Sequence, residues 1–547
     1  MTPPPDPPRE LAALCSRIGA RDEGAGAVVA ACSRATLRRW LIALAAAAPR
    51  CQLAVFHGDL SSVIEGSAVQ VAAELLALPH SQQGAAGPRL GLIRSLRRRR
   101  LDFALTLADE DRAPERWAQA MALASRARSC WAWVSDSAAF RRIGPGWVAR
   151  TMGERLRQQA WDLAASLPGL GAALTAGEAR LARAWAQRRR RHEPPARLGE
   201  LRVLLVASSP GASTRYRVQH KQEQLALLGI HASVRRAREY RAAPRLAGRD
   251  AAHHDLAIVH RIDEPGPASA LLSALAAAGR PIVYDIDDLL FDPGVIEYVP
   301  APSRKSIAGQ VRLLARCTHA FAATSELAAR LAPAGRPTWV VRNSLSEEWL
   351  ALCREARAAR GSDGSIRLGY LSGSATHDRD LAAIAPALVE AMARHPRLHL
   401  VLVGPVAVPA GLAALSGRVV RLPYVPWRDL PGLMAEHVDA NLAPLESASP
   451  FCRAKSAVKY LEAAALGVPT IASPIPAFRE VIRPGENGFL ADTTEDWLAM
   501  LESLARDPGL AARVGGRARV GVEASFGPRQ GAEELAAALS AVLDIPC

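Results

Sequence analysis

Between Pro450 and Gly488 the chain reads PFCRAKSAVKYLEAAALGVPTIASPIPAFREVIRPGENG, and no other stretch limits the fold as much. Its first part carries small and apolar residues at helical recurrence and meets Gly467 and then Pro469, the usual stop signals. The apolar run Val468 to Ala472 follows as a buried strand, and Pro474 to Pro476 turn the chain out of it. A short helix feeding directly into a buried strand is an α/β pattern.

The same helical stretch carries charge. Lys455, Lys459 and Glu462 lie at i, i+4 and i+7 and so share one side of a helix. Two ammonium groups at a helix start attract a diphosphate, and a carboxylate accepts hydrogen bonds from ribose hydroxyls. That combination suits a sugar nucleotide. The spacing fits equally well a solvated face holding an ion pair.

The chain has 547 residues, room for about three domains each with its own core. Hydrophobic residues make up 49% and charged residues 22%, a globular and not a disordered balance. The cysteines (Cys15, Cys32, Cys51, Cys130, Cys317, Cys353, Cys452 and Cys547) are scattered without a CxxC pair. That argues against zinc or redox chemistry and fits a reducing compartment. The start, MTPPPDPPRE, lacks a basic segment followed by an apolar core, so no secretory signal is expected. The apolar patch Trp40 to Ala48 is too short to span a bilayer. The expectation is a cytoplasmic protein, soluble or peripheral at the inner membrane face. A formal net charge of +15 calls for an anionic partner. The clusters Arg97 to Arg100 and Arg188 to Arg191 lack interleaved aromatic residues, and no nucleic-acid-binding motif is visible. Nucleic acid is therefore not expected, which leaves a nucleotide or an anionic membrane surface.

Residues 1–145 read as a small α/β domain. Strands are expected at Gln52 to Phe56, Phe103 to Leu107 and Cys130 to Val134, and helices at Val63 to Leu78, Leu90 to Arg100 and Trp117 to Arg128. That order favours a parallel, Rossmann-like sheet. Asp109, Glu110 and Asp111 follow a strand end, as ligand residues do in α/β folds or as a solvated turn does. Residues 146–199 read as a basic helical linker, with a capping box at Thr175 to Glu178 and a hinge from Glu193 to Gly199. Trp147, Trp161 and Trp185 among arginines suit an interfacial membrane helix, or a helix packed on a neighbouring domain.

From Arg202 to Ala207 a buried strand leads into a small-residue loop containing Gly211, and then into a helix from Tyr216 to Leu228. This is the opening of a nucleotide-type half-domain, yet neither GxGxxG nor Walker A is present, so NAD and ATP are not supported. Arg215 and Arg217 follow the loop, available to an anion or to surface partners. Strands at Asp255 to His260 and Pro281 to Tyr284 deliver His260, Arg261, Asp285, Asp287 and Asp288 to strand ends, where α/β folds bind ligands. His260 fits a buried structural role as well. Asp285 and Asp287 form a DxD, which can hold a divalent cation on a diphosphate. A further α/β unit begins with the strand Ile366 to Tyr370 and the loop LSGSATHDRD, whose small residues let backbone amides approach an anion. Strands at Leu398 to Val403, Val419 to Leu422 and Asp439 to Pro444 precede the Pro450 block.

The run from Glu462 to Ser473, EAAALGVPTIAS, resembles the donor-binding segment of GT-B glycosyltransferases of family 4. Those enzymes carry two glutamates separated by seven residues, the second opening such a run; here Ala454 stands where the first would be. STRYRVQHKQEQLALLGI and PYVPWRDL also resemble family segments, the latter one that packs near the donor base. The resemblance covers about the last 350 residues. It implies two Rossmann-like domains, 200–345 on the acceptor side and 346–547 on the donor side, with a hinge near Asn343 to Ser365 and a last helix crossing back. It also implies sugar transfer from a nucleotide-sugar to a hydroxyl of a glycan or lipid-linked acceptor, with retention and without metal or cofactor. Lys455, Arg453 and Lys459 would steady the departing diphosphate, Glu462 would bind ribose, and Ser456, Gly373, Ser374, His377 and Arg379 would line the donor site. Asp287 would act as base or acceptor contact, with Gly211, Arg215, Arg217, His260, Asp285 and Asp288 on the acceptor side. Two alternatives stand beside this reading: a catalytically reduced glycan- or nucleotide-binding scaffold, and a metal-dependent transferase using the DxD.

Overall fold

The computed structural model describes residues 25–31, 41, 52–57, 63–67, 103–108, 129–134, 139–142, 170–188, 195–208, 211–357, 364–373, 378–507 and 509–546. Residues 1–157 form one compact unit and residues 158–547 a second. The first unit holds a six-stranded sheet of β1 (Ala25–Ala31), β2 (Gln52–His57), β3 (Val63–Ser67), β4 (Phe103–Ala108), β5 (Ser129–Val134) and β6 (Ala139–Arg142). Their order is β3-β2-β1-β4-β5-β6, parallel through the four central strands and antiparallel at both edges. Val63 to Ser67, expected to start a helix, is instead an edge strand. Val63 and Ile64 are β-branched and follow a Gly-containing stretch of hairpin length, which favours pairing back on β2. The expected helices at 90–100 and 117–128 and the trio Asp109, Glu110 and Asp111 lie outside the described residues.

The second unit contains two parallel six-stranded sheets. One is built from β7 (Arg202–Ala207), β8 (His231–Arg236), β9 (Leu256–His260), β10 (Ile282–Ile286), β11 (His319–Ala322) and β12 (Thr338–Val340), in the order β12-β11-β10-β9-β7-β8. The other comprises β13 (Ile366–Leu371), β14 (Leu398–Val403), β15 (Val419–Leu422), β16 (Ala440–Ala443), β17 (Thr470–Ala472) and β18 (Phe489–Leu490), ordered β15-β14-β13-β16-β17-β18. Strands β9, β10, β16 and β17 are buried at every residue, as strands covered by helices on both faces must be. The edge strand β8, HASVRR, has no such apolar run and was not foreseen.

Helix α1 (Leu170–Arg188) spans Thr175 and Glu178, so the expected capping box is interior to a helix that begins earlier. Ala182 and Ala186 sit in the core of the first parallel sheet, against α3 (Pro244–His253) and α4 (Ser269–Ala277). Contact is close enough that a Cβ on Gly248 of α3 would fall 2.4 Å from Trp185 Cβ. Of the two linker readings, packing on a domain is the one seen for 170–188; Trp147 and Trp161 lie outside the described residues.

The two halves of this unit interlock. Tyr216, after β7, is buried in the core of the second sheet with Trp349 of α5 (Glu347–Arg357) and Leu461. Phe451 and Ala454, from the half that holds β13 to β18, are buried in the core of the first. The final helix (Pro528–Leu543) lays Leu535, Leu539 and Val542 against Val203, Leu205 and Ile258.

Candidate functional site

The carboxyl ends of β7, β9 and β10 form one wall of the cleft. Gly211 takes φ 157° and ψ 176°, a region open to glycine and closed to side chains, and the chain then winds through a π turn, Arg215–Gln219, into α2 (His220–Leu227). Ser213 Oγ lies 2.6 Å from His260 Nε2 and 2.9 Å from Asp287 Oδ1. His260 Nδ1 is 2.9 Å from the Asp285 carbonyl oxygen, which can only accept, so Nδ1 carries the hydrogen and Nε2 the lone pair. Burial pushes the His260 pKa down to about 4, against the pull of Asp287. The single Ser213 proton therefore faces two acceptors.

Arg261, just past β9, has a left-handed φ of 48°, a conformation costly for a side-chain-bearing residue. Its guanidinium bridges Asp287, 2.8 Å away, and Asp288. Burial raises the Asp287 pKa, but Arg261 and the other facing donors outweigh it and bring it to about 2. Asp287 is thus a fixed carboxylate.

Beneath this wall, Arg217 is fully buried and binds both oxygens of the fully buried Asp285, and also the Val341 carbonyl at 2.7 Å and Asn343 Oδ1 at 3.0 Å. Lys221 Nζ adds a contact to Asp285 at 3.4 Å. Burial favours protonation of Asp285, yet Arg217 and Lys221 prevail and lower its pKa. Arg217 and Asp285, expected on the acceptor side, are thus drawn below the cleft floor into an ion cluster. Both Asp285 oxygens are committed there, away from the metal geometry that a DxD requires.

The opposite wall is the Pro450 block. It is not one helix: α7 (Pro450–Arg453) ends, residues 454–457 turn, and α8 (Val458–Ala465) begins. Lys455 and Ser456 belong to the turn, so Lys455 does not share a helical face with Lys459 and Glu462. At the break, Ala454 is wholly buried in the other domain's core, and its carbonyl accepts from Thr324 Oγ1 at 3.1 Å. Lys455 Nζ reaches Asp288 Oδ1 at 3.3 Å, and Ser456 Oγ accepts from Asn343 Nδ2 at 3.0 Å. Lys459 Nζ is buried over the Tyr370 ring, 4.6 Å from its centroid, and has no hydrogen-bond partner among the described residues. Burial lowers its pKa to about 8, with Asp380 of α6 (Asp378–Arg394) opposing and Lys455 reinforcing. Glu462 Oε1 accepts from Arg215 Nη2 at 2.5 Å and from Tyr216 Oη at 2.6 Å, both from the first wall.

Ser213, Arg261, Asp287, Asp288, Lys455 and Lys459 line one cavity of about 510 Å³ between the two sheets. Gly211 and Ser456 line it too, and several other expected residues are elsewhere. Arg453 lines a separate cavity with Arg479 and Asp492, and its guanidinium is 4.0 Å from Glu326. Arg379 is largely exposed and lies 3.5 Å from Glu446. Gly373 is exposed near Tyr424; Ser374 and His377 lie outside the described residues. Trp427, within the PYVPWRDL segment, stacks on Trp349 and holds the Arg215 guanidinium 4.8 Å from its ring. Ser213, Tyr216 and Lys221 were not singled out in advance, since no spacing or motif in the sequence marks them.

Residues 369–507, which run from within β13 to beyond β18 and include the cationic wall, match the family model described as glycosyl transferases group 1. Over that span, about a quarter of its length, the chain is similar to group 1 glycosyl transferases. No curated protein matches the chain. Solved structures with which it aligns include Anabaena HepE in complex with UDP and glucose, at 18% identity, covering 62% of this chain and 100% of that one with a TM-score of 0.46. Sucrose-phosphate synthase from Thermosynechococcus elongatus aligns at 16% identity over 63% of this chain and 100% of its own, with a TM-score of 0.45. A glycosyltransferase from Rickettsia africae aligns at 14% identity over 63% and 99%, with a TM-score of 0.46. The cleft lies where the matched segment faces the sheet formed by β7 to β12.

Proposed function

We propose that the protein moves a sugar from a nucleotide-sugar to a hydroxyl of a glycan or lipid-linked acceptor, with retention of configuration and without a metal or other cofactor. The observation that carries this reading is the Lys459 ammonium, buried in the cleft without a hydrogen-bond partner among the described residues. A buried unpaired charge is costly unless a ligand completes it, and a diphosphate is the ligand that suits. Lys455 would leave Asp288 to share the developing charge, stabilising the departing diphosphate by fixed electrostatics.

The acceptor hydroxyl would meet the cluster of Ser213, His260 and Asp287. With pKa values near 4 and 2, His260 and Asp287 are weak bases that orient the hydroxyl without holding its proton. As the bond from C1 to the phosphate oxygen breaks and the bond to the acceptor oxygen forms, the acceptor proton passes to the departing phosphate, whose basicity near pH 6 is greater. That transfer requires acceptor and leaving group on one face of the sugar, which supports retention. The commitment of Asp285 to Arg217 and Lys221 supports a mechanism without a DxD-bound metal. Among the described residues no helix is long and apolar enough to cross a membrane. A cytoplasmic site of action at the inner membrane face, on lipid-linked or surface glycan precursors, is part of the proposal. One observation favours the scaffold reading: Ala454, replacing the first family glutamate, is buried away from the cleft.

The test is a thermal-shift panel of UDP-, GDP- and ADP-sugars, with and without EDTA, on wild type and Glu462→Ala. A shift with one donor, indifferent to EDTA and lost in the variant, is expected. A shift that EDTA abolishes would return the DxD mechanism. A donor that binds but is never hydrolysed or transferred would leave the scaffold.

A further inference from the structure

Glu462 meets the opposite domain through one oxygen only. Arg215 Nη2 and Tyr216 Oη both donate to Oε1, and among the described residues no hydrogen bond reaches Oε2. The two donors are themselves rigidly held. The Arg215 guanidinium lies over the rings of Tyr216, Trp349 and Trp427 at 4.6, 5.2 and 4.8 Å, and the residue is 5% exposed. Tyr216 is buried in the donor-side core and rests edge-on against His220. His220 Nδ1 in turn is 2.8 Å from the Ser344 carbonyl oxygen at the domain crossing.

We infer that Arg215 and Tyr216 are positioning residues for the nucleotide: by fixing Glu462 Oε1 from the acceptor-side domain, they turn Oε2 toward the ribose hydroxyls of the donor. A carboxylate has four lone-pair positions, so two charge-assisted bonds on Oε1 leave Oε2 its full capacity and remove the carboxyl's rotational freedom. Glu462 sits three residues beyond Lys459 on α8, on the same side, and its charge raises the Lys459 pKa against the effect of burial. The ribose and diphosphate sites are thus adjacent on one helix, and the ribose site is complete only with the two domains together. This inference rests on the nucleotide-sugar reading above and specifies how that site selects a ribonucleotide.

The measurement is calorimetric affinity of the full chain for UDP, GDP and ADP, then for the 2′,3′-dideoxy form of whichever binds. Wild type is expected to prefer the ribonucleotide about tenfold or more, the usual scale for hydrogen bonds to a charged group. Tyr216→Phe and Arg215→Ala are expected to reduce that preference severalfold while changing affinity for the dideoxy form little; Arg215→Lys should restore part of it. A role confined to holding the domains together would instead weaken both nucleotides equally, leaving the ratio intact, and that outcome overturns the inference while the donor site stands. Tyr216→Phe keeps the buried ring, so the test survives even if Arg215→Ala fails to fold. If none of the three nucleoside diphosphates binds wild type, the donor reading falls and this inference with it.

Discussion

Lys459 and Ala454 show how far single residues could be read from sequence. The lysine's type and location on α8 are plain in the sequence, but its surroundings are not, because they are set by Tyr370 of β13 and Asp380 of α6, far back along the chain. Lys459→Met is expected to raise the melting temperature by about 2 °C or more, since it replaces an unpaired buried charge by an apolar chain of similar shape, while nucleotide binding is lost. The pH dependence follows from the sign of the shift. The folded pKa, about 8, lies below the ordinary 10.5, so the unfolded chain binds more protons between those values and stability rises with pH across that window. Diphosphate affinity moves the other way, falling above about pH 8 as the ammonium is lost; titration calorimetry at pH 7 and pH 9 checks it. Ala454 was legible as a departure from the family pattern, not as a packing residue. Ala454→Glu, which restores the family's residue, would bury a carboxylate in an apolar core, with an expected loss of several kcal/mol and no gain of turnover. A stable, more active variant in a denaturant and transfer assay would refute the packing account.

At the level of elements, the strands were read well where they are buried on both faces and poorly elsewhere. β7, β9, β10 and β17 announce themselves as continuous apolar runs, whereas the edge strand β8 is polar and β3 owes its pairing to a hairpin that periodicity alone cannot reveal. The break between α7 and α8 was missed for a related reason: helical spacing is local, whereas the partner that Ala454 meets at the break, Thr324, lies in another domain. The π turn Arg215–Gln219 has the same character. It turns Arg217 inward to Asp285 while Arg215 and Tyr216 point across the cleft. Removing Asp285 would leave Arg217 and Lys221 buried without compensation, so Asp285→Ala is expected to cost about 3–5 kcal/mol in urea unfolding. Because its folded pKa is lowered, Asp285 contributes stability that is complete above about pH 4 and is lost as pH falls through the folded value. The gap between variant and wild type should therefore narrow in acid.

Across residues 158–547 the reciprocal exchange of core residues decides the mechanical character of the molecule. Two Rossmann-like domains joined only by a hinge would open and unfold separately. Here Tyr216 is part of the core beside the β13–β18 sheet, Phe451 and Ala454 are part of the core of the β7–β12 sheet, and the last helix covers that latter sheet. Separating the domains would expose all of these apolar side chains at once, each large one worth about 1.5–3 kcal/mol of burial. The polar ties at the crossing, Asn343 to Ser456 and Arg342 to Glu534, would be broken in the same step. Unfolding should then be shared: in hydrogen exchange followed by mass spectrometry, β7 and β13 are expected to lose protection at the same urea concentration. Phe451→Ala, a change costing about 3–5 kcal/mol, should move both transitions together although the residue belongs by sequence to one domain. If β13 kept its protection while β7 lost it, the interlock would be a surface contact and the cleft a hinge free to open.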